Sequence, residues 1–356
     1  MPMNIRLVHQ LSPGENNPRN SEGAFLRGVD GEILFAYSCY LGESTHDHAP
    51  CDIAMIVSYD EGETWSEPRV IAPASAFGVQ NVMSVSGVKQ LNGDVAFYFL
   101  IKENDFSTSL GRAISSDGKN FRTERCRSDF PHAYYTVNND RIVRLADGKL
   151  VAPAAFVSRE ENEWGGRCAF RTTCLISEDD GASFYKADFS LSTTDHVNAH
   201  FGMQEPGILA RDDGSLYLWM RTGYGRQYEA VSDGDVNSFT GLQPSQFTSP
   251  ASPMQIKTID GVTYAIYNPV PHYDGRYEPS GCLGRTPFVI RKSVDDGRTF
   301  GPLNVIGEDP DRGYCYPAII QTRDDHLLLA YCRGSVEDGD TLCRIGISKV
   351  ETASIE

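Results

Sequence analysis

An eight-residue pattern, S-x-D-x-G-x-[T/S]-[W/F], recurs along this chain of 356 residues and constrains its fold more than any other feature. Three complete copies occupy Ser58–Trp65, Ser177–Phe184 and Ser293–Phe300, and two imperfect copies begin at Ser115 and Ser232. Successive copies start 57, 62, 55 and 61 residues apart. Because a single globular core requires no such period, the pattern indicates a structural repeat.

The residue types within this octapeptide are typical of a hairpin turn. Serine and aspartate side chains hydrogen-bond nearby backbone N–H groups, and glycine supplies a positive φ. The closing Trp or Phe buries a large apolar face against a neighbouring strand. Five unrelated Asp-Gly turns are the alternative, which three complete copies in register disfavour.

Six polar two-residue turns, each followed by an apolar strand-like run, form a second repeat. They are Asp30-Gly31, Asn92-Gly93, Asp147-Gly148, Asp213-Gly214, Asp260-Gly261 and Asp324-Asp325. Such turns between β-rich runs are the strongest short-range hairpin signal. We therefore predict an all-β fold, a six-bladed β-propeller of four-stranded antiparallel blades, as a single domain over residues 1–356. Ile5–Val8 is expected to complete the last blade. A two-domain sandwich is the alternative architecture.

Composition excludes several classes of function. The net charge of −16 argues against binding to nucleic acid or to an anionic membrane, and no apolar run approaches the ~18 residues of a spanning helix. Nine cysteines without regular spacing predict no disulfide framework. The start, Met1–Arg6, lacks a signal segment, so a cytoplasmic location is expected, with a secreted or periplasmic one open if a leader was removed. No cofactor and no metal are expected, since no phosphate-cradling glycine loop, nucleotide fingerprint or zinc cluster is present. The oligomeric state is left open.

The octapeptide resembles the Asp-box, or BNR repeat, of the sialidase (neuraminidase) superfamily of β-propellers, and the resemblance covers nearly the whole chain. The motif is specific for the fold, but it also occurs in proteins that are not sialidases. In the fourth unit, Gln204–Arg221 resembles the sialidase stretch in which a glutamate, a DG turn and an arginine share this spacing. The resemblance implies that Glu205 activates a nucleophilic tyrosine and that Arg221 grips the substrate carboxylate. It implies the tyrosine role for Tyr316 and the third arginine of a triad for Arg285.

The start of each innermost strand is expected to face the central axis, on the face opposite the turns. Counting back eight residues from each inner turn reaches Glu22, Ser84, Asn139, Glu205, Ser252 and Tyr316. Five polar residues and a tyrosine predict a funnel for a polar ligand. The loops of this face also hold six of the eight histidines, His46, His48, His132, His196, His200 and His272. Further candidates for substrate binding are Arg141, Tyr228 and Arg333.

The chemistry of an acidic sugar suits a tyrosine nucleophile, because a neutral hydroxyl activated by Glu205 is not repelled by the substrate as a carboxylate is. Asp47 is the expected general acid/base, with His46 or His48 as alternatives. The His-Asp-His segment could instead be a solvated loop or an adventitious metal site.

The sequence departs from the sialidase pattern at its first arginine. The family's Arg-Ile-Pro tripeptide is missing, and Arg19 lies eleven residues before Asp30, about two further than the pattern. Glu22 is expected beside the carboxylate-binding groups, which is unfavourable unless it pairs with an arginine or is protonated. Whether Arg19 completes a carboxylate-binding triad is therefore open.

Three functions follow from these features. The preferred hypothesis is a retaining exo-glycosidase of sialidase type that hydrolyses a terminal acidic, sialic-acid-like sugar. The second is a propeller hydrolase or polysaccharide lyase acting on another glycan of uronate or rhamnose type. The third is a non-catalytic sugar-binding propeller. A glycan or small sugar is the expected partner in all three.

Overall fold

The computed structural model describes residues 3–157, 170–192, 202–271 and 284–356. Within these residues, 26 strands form six sheets, which are the blades of a six-bladed β-propeller. The first two blades contain β2 (Asn20–Arg27), β3 (Ile33–Tyr40), β4 (Cys51–Ser58) and β5 (Arg69–Ala72), then β6 (Val82–Lys89), β7 (Val95–Asn104), β8 (Ser107–Ser115) and β9 (Arg122–Arg125). The third contains β10 (Arg127–Asp129), β11 (Tyr134–Thr136), β12 (Val143–Arg144), β13 (Leu150–Val157), β14 (Arg171–Ser177) and β15 (Ser183–Lys186).

The remaining three blades have four strands each. They contain β16 (Gln204–Ala210), β17 (Leu216–Arg221), β18 (Arg226–Ser232) and β19 (Thr240–Thr248); β20 (Gln255–Ile259), β21 (Val262–Tyr267), β22 (Phe288–Ser293) and β23 (Asn304–Gly307); and β24 (Cys315–Gln321), β25 (His326–Cys332), β26 (Ile345–Glu351) and β1 (Ile5–Leu11). The described helices are short 3-10 turns at Ala74–Phe77, Thr341–Cys343 and Thr352–Ser354. No helix in the described part of the chain has the length and apolarity needed to span a membrane.

The ring closes through the sixth blade, which combines both ends of the chain. β1 pairs antiparallel with β26, with Ile5 opposite Val350 and Leu11 opposite Ile345. The first strand of the chain is thus the outer strand of a blade whose other three strands come last. Radial closure of this kind leaves only short sheet edges exposed.

The third blade differs from its neighbours in having six strands. β11 and β12 both pair with β13, so the innermost position is shared by two short strands. Asp140, with a φ of 55°, lies between them. On the outer side, β10 pairs parallel with β15.

The three complete octapeptides fold into the same hydrogen-bonded turn. In the first, the backbone N–H of Gly62 donates to Ser58 Oγ at 2.8 Å, and Ser58 Oγ donates to Asp60 Oδ1 at 2.9 Å. The N–H of Thr64 donates to the same Asp60 oxygen at 2.8 Å. The equivalent bonds recur in the second and third copies. These bonds satisfy backbone N–H groups of the turn and thereby stabilise its conformation.

The same turns link neighbouring blades. The fourth residue of each octapeptide accepts a backbone N–H bond from an inner turn of the preceding blade, and the pairs are Glu61 with Arg323, Asp180 with Leu91 and Asp296 with Asp212, at 2.9, 2.9 and 2.7 Å. The three complete octapeptides and the inner turns that they contact therefore lie on one face. The starts of the innermost strands lie on the other.

The hydrophobic core lies between adjacent blades. One buried cluster, for example, joins Leu34 and Met55 of the first blade to Val85 and Phe97 of the second. Removing these side chains from water is the main force that holds one blade against the next. The packed blades thereby fix the positions of the residues at the axis.

Candidate active site

Four innermost strands carry a break in register at their start, and the residue at each break has a positive φ. These residues are Glu22, Ser84, Glu205 and Tyr316, with φ of 54°, 66°, 46° and 52°. Asp140 has this conformation in the third blade, one position after the expected Asn139. Positive φ is uncommon outside glycine, and such strained residues and bulges are concentrated at functional sites, where they redirect a side chain.

Tyr316, Glu205 and Arg221 form a hydrogen-bonded group from two blades. Tyr316 Oη donates to Glu205 Oε1 at 2.7 Å, and Arg221 Nη1 donates to Glu205 Oε2 at 2.8 Å. Tyr316 comes from β24, and the two charged residues come from the adjacent strands β16 and β17. The structure thus brings together three residues that the sequence predicts to act together.

The electrostatic environment keeps the proton on the tyrosine. Burial and the neighbouring Glu205 carboxylate raise the pKa of Tyr316 well above its ordinary value. Burial also acts to raise the pKa of Glu205, but the charge and hydrogen bond of Arg221, the hydrogen bond from Tyr316 and the charge of Arg285 together lower it. The pair is therefore a neutral phenol donating to a carboxylate, the arrangement of a nucleophile beside its base.

Arg285 also lies beside Tyr316. Its guanidinium carbon is 5.8 Å from the centre of the Tyr316 ring, and its Nη1 donates to Cys315 Sγ at 3.2 Å. The side chain is buried, and its Nε has no hydrogen-bond partner in the described ranges. Arg221 and Arg285 thus place two cations beside Tyr316.

Arg19 is buried and faces the first blade's own acids. Its Nη1 donates to Asp47 Oδ1 at 2.6 Å and to the carbonyl of Thr45 at 2.9 Å. Its Nε donates to Ser21 Oγ at 3.0 Å, and its guanidinium lies 4.3 Å from the Tyr40 ring centre. Arg19 therefore binds the loop between β3 and β4. Because its Nε and Nη1 are already bonded, it is not free to make a bidentate contact with a carboxylate.

Glu22 lies between Arg19 and the Tyr316 group. Its Oε2 is 3.7 Å from Arg19 Nη2, which is too long for a hydrogen bond, and the residue is 5% exposed. Burial raises the pKa of Glu22 to about 7, although Arg19 opposes the shift. The structure therefore places an additional acid at the axis, within ion-pair distance of Arg19 but without a hydrogen bond to it.

Asp47 lies at the edge of this group, with 58% of its side chain exposed. Burial of its surroundings acts to raise its pKa, but the charges of Arg19 and Lys102 lower it overall. The neighbouring histidines lie outside the cluster. His46 is exposed, and His48 stacks on it at 5.5 Å and contacts Asp105 at 3.3 Å. Asp47 is thus the acid of this loop that is bonded to Arg19.

Two of the predicted ligands support the site from below. Asn139 Nδ2 donates to the carbonyls of Gly23 and Tyr316 at 2.8 and 3.2 Å. Arg141 donates to the carbonyl of Glu205 at 3.0 Å, and burial lowers its pKa to about 10. These buried donors are used on the backbone that carries the site, so we assign them to its support and not to substrate contact.

Two other predicted ligands lie away from the axis. Tyr228 is on β18, opposite Met220 on β17, and packs against the core between the third and fourth blades. Arg333 donates to Gln10 on β1, the outer strand of the sixth blade. The number of residues between each of them and its inner turn does not show which side of the blade the side chain faces. His196, His200 and His272 lie outside the described residues, and His132 is exposed.

Lys102 and Tyr40 also belong to the site, although neither is predicted from the sequence. Lys102, near the end of β7, is buried and donates to the Asp47 carbonyl at 2.5 Å. A lysine that directly follows the apolar run of β7 is the signal that could have found it, since buried lysines need a partner. Tyr40 ends the apolar strand β3 and carries no such signal.

The opposite end of the axis holds a cavity of about 670 Å³. It is lined by the far ends of four innermost strands, among them Val88, Ile142, Leu209 and Ile256. No carboxylate, histidine, cysteine or tyrosine is among its described lining residues. Nor do the described ranges contain a group of three or more His, Cys, Asp or Glu placed to hold a metal ion. The titratable cluster at the other end is therefore the candidate active site.

A comparison with protein families matches residues 31–329 to the BNR repeat-like domain. None of the curated proteins compared with the chain matches it. Solved structures share the fold. A protein of unknown function from Dyadobacter fermentans has 17% identity and a TM-score of 0.73, with 98% of this chain and 99% of that chain covered.

Two further similar structures are sialidases. The Hadza microbial sialidase Hz136 has 14% identity and a TM-score of 0.74, covering 96% of this chain and 67% of that one. The NanB sialidase from Streptococcus pneumoniae has 13% identity and a TM-score of 0.71, covering 100% of this chain and 71% of that one. At these identities the likeness establishes the fold alone.

Proposed function

Because the chain belongs to the BNR repeat-like domain family, we propose that it is a retaining exo-glycosidase of sialidase type that releases a terminal acidic sugar. The observation that carries this proposal is the 2.7 Å hydrogen bond from Tyr316 to Glu205, with Arg221 on the other carboxylate oxygen. A buried phenol paired with a carboxylate has a base within reach when its oxygen attacks.

In the first step, Tyr316 Oη attacks the anomeric carbon of the terminal sugar and its proton passes to Glu205. The glycosidic bond breaks, and the departing oxygen takes a proton from the acid/base residue. In the second step, water attacks the glycosyl–tyrosine intermediate, gives a proton to the acid/base, and Glu205 returns its proton to the tyrosine. Two displacements at one carbon retain its configuration.

Arg221 and Arg285 are proposed to bind the acidic group of the sugar. Arg285 is buried and Arg221 is mostly buried beside Tyr316, and a guanidinium matches a carboxylate in charge and in hydrogen-bond geometry. Their charges also favour the anionic oxygen that develops on the tyrosine. The carboxylate of the substrate would thereby be held close to the reacting carbon.

Asp47 is proposed as the acid/base. It is the acid of the group with the most exposed side chain, so a leaving group entering from solvent can reach it. In the free protein its lowered pKa makes it a carboxylate, the form required for the second step. Binding of an anionic sugar in the site would add a negative charge near Asp47 and favour its protonation for the first step.

A second candidate is a propeller hydrolase or lyase for another acidic glycan, such as a uronate. The specific observation in its favour is that Arg19 binds Asp47, Thr45 and Ser21 and is not free to complete a triad around a sialic acid carboxylate. The two candidates use the same site. They differ in the sugar that is bound and in whether the glycosidic bond is cleaved by hydrolysis or by elimination.

The test is a panel of 4-methylumbelliferyl glycosides of N-acetylneuraminic acid, glucuronic acid, rhamnose and galactose. The proposal predicts turnover of an acidic glycoside with retention, followed by NMR of the first-formed anomer. A fluorinated sugar acid that slows the second step should add its mass to a peptide containing Tyr316. A uronate-containing polysaccharide is assayed alongside the panel, and an unsaturated, ultraviolet-absorbing product released from it would instead identify a lyase. Absence of turnover for every acidic glycoside would refute the proposed function.

A further inference from the structure

We infer that Glu22 determines specificity by accepting a hydrogen bond from a substrate hydroxyl, so that the site selects a hydroxylated sugar acid whose carboxylate is left to Arg221 and Arg285. The inference deepens the proposed function, since it concerns the substrate of the same site. It predicts a contact, however, that exists whether or not the sugar is hydrolysed.

The first support is the position of Glu22. It begins the innermost strand of the first blade with the same register break and positive φ as Glu205 and Tyr316 in the fourth and sixth blades. The charges of Glu22 and Glu205 influence each other, and that of Glu22 reaches Tyr316. The same local backbone device therefore directs all three side chains to one end of the axis.

The second support is an unfilled bonding capacity. Among the described residues, the one ionic partner of Glu22 is Arg19, 3.7 Å away, and Glu22 Oε2 is enclosed without a hydrogen bond. Arg19 Nη2, facing it, also lacks a hydrogen bond within those residues. Burying a carboxyl without hydrogen bonds costs free energy. A ligand group that donates a hydrogen bond to Glu22 removes this cost, so the bond stabilises the complex more than a hydrogen bond formed in water would.

The third support concerns the kind of group that fits. A substrate carboxylate at Glu22 would be repelled by Glu22 and would meet an arginine whose Nε and Nη1 are already bound to Ser21 and Asp47. A cationic group would meet Arg19 and the buried Lys102. A neutral hydroxyl meets neither objection, because it can donate to Glu22 and can also accept from Arg19.

The experiment is a mutant cycle on binding, carried out with Tyr316→Phe protein so that no substrate is consumed. Calorimetry gives Kd for the 4-methylumbelliferyl glycosides of N-acetylneuraminic acid and glucuronic acid, and for derivatives in which one hydroxyl at a time is replaced by hydrogen. Each Kd is measured with Glu22 intact, with Glu22→Gln and with Glu22→Ala. If Glu22→Ala does not fold, Glu22→Gln still tests the contact, because it keeps the shape of the side chain and one hydrogen-bond acceptor.

We expect one hydroxyl whose removal weakens binding about 10- to 100-fold when Glu22 is present. The same removal should cost less than about 3-fold in Glu22→Ala and an intermediate factor in Glu22→Gln. An equal penalty in all three proteins would overturn the inference, as would a wild-type site indifferent to every deoxygenation. Binding with the expected pattern but no turnover by the wild type would refute the proposed function alone, and binding of no probe would refute both.

Discussion

Tyr316 and Glu205 are 111 residues apart in the chain, yet the hydroxyl of the first donates a 2.7 Å hydrogen bond to the carboxylate of the second. Each residue begins an innermost strand, and each has a positive φ at a break in register. The bond therefore depends on two blades being closed around one axis with both strands in the correct register. It also fixes the side chain of the proposed nucleophile against its base.

Replacing Tyr316 by phenylalanine removes the attacking oxygen and leaves the ring. We expect kcat on an acidic aryl glycoside to fall by about 10³-fold or more, with the folded structure retained. Steady-state kinetics and thermal unfolding measure the two properties. Tyr314→Phe is the matched control, because Tyr314 is buried against Phe288 with ring centres 6.0 Å apart and is outside the site. Similar losses in both variants would remove Tyr316 from the mechanism.

Replacing Asp47 by alanine tests the acid/base assignment. We expect kcat/KM to fall by about 10²- to 10⁴-fold on a glycoside with a poor leaving group and much less on the activated aryl glycoside. Azide should restore part of the turnover by replacing water in the second step. Asp105→Ala, which removes the partner of His48, serves as control and should leave both substrates unaffected. A loss that does not depend on the leaving group would contradict the assignment.

Glu22 should make the protein less stable as the pH rises through neutrality. Its pKa of about 7 in the folded state lies above the ordinary carboxyl value, so its stabilising contribution is complete below about pH 4.3 and is lost on passing pH 7. Between pH 4 and pH 8, the free energy of unfolding of Glu22→Gln should therefore increase relative to that of the wild type by about 3 kcal/mol. Urea unfolding at both pH values measures this.

Glu205 serves as a control, because its expected effect on stability depends on pH in the opposite direction to that of Glu22. Its pKa is lowered in the folded state, so its contribution to stability is present at neutral pH and is lost as the pH falls below the ordinary carboxyl range. Glu205→Gln should therefore lower the free energy of unfolding at pH 8. If both variants shift stability in the same direction, the environments assigned to the two carboxyls are incorrect.

The octapeptide glycine should be required for packing between blades as well as for the turn. Gly181 has a φ of 83°, and an added Cβ would lie 1.9 Å from the Tyr98 hydroxyl of the second blade. Gly148 has a φ of 90° with no atom within 4 Å of an added Cβ. We expect Gly148→Ala to cost about 1–2 kcal/mol from backbone strain and Gly181→Ala at least 1 kcal/mol more. Chemical unfolding of both variants decides, and equal costs would contradict the packing role.

The sequence by itself determined the repeat, the hairpins and the six-bladed ring. Octapeptides and two-residue turns are local structures whose residue types follow from short-range hydrogen bonds and positive φ, so they can be read without the fold. The counting from turn to axis also indicated Glu22, Glu205 and Tyr316. In the third blade the positive φ falls at Asp140, the residue after Asn139, in the interruption between β11 and β12, and no local pattern marks this position.

Only the tertiary structure decided what each side chain meets. Arg19 binds Asp47 and lies near Glu22, and Lys102 reaches the Asp47 carbonyl from the second blade. Arg141 is used on backbone carbonyls, and Arg333 turns to the outer strand. These contacts join residues from different blades, and their geometry depends on strand register and blade packing. Such long-range relations are set by the closed ring as a whole and leave no trace in the neighbouring sequence.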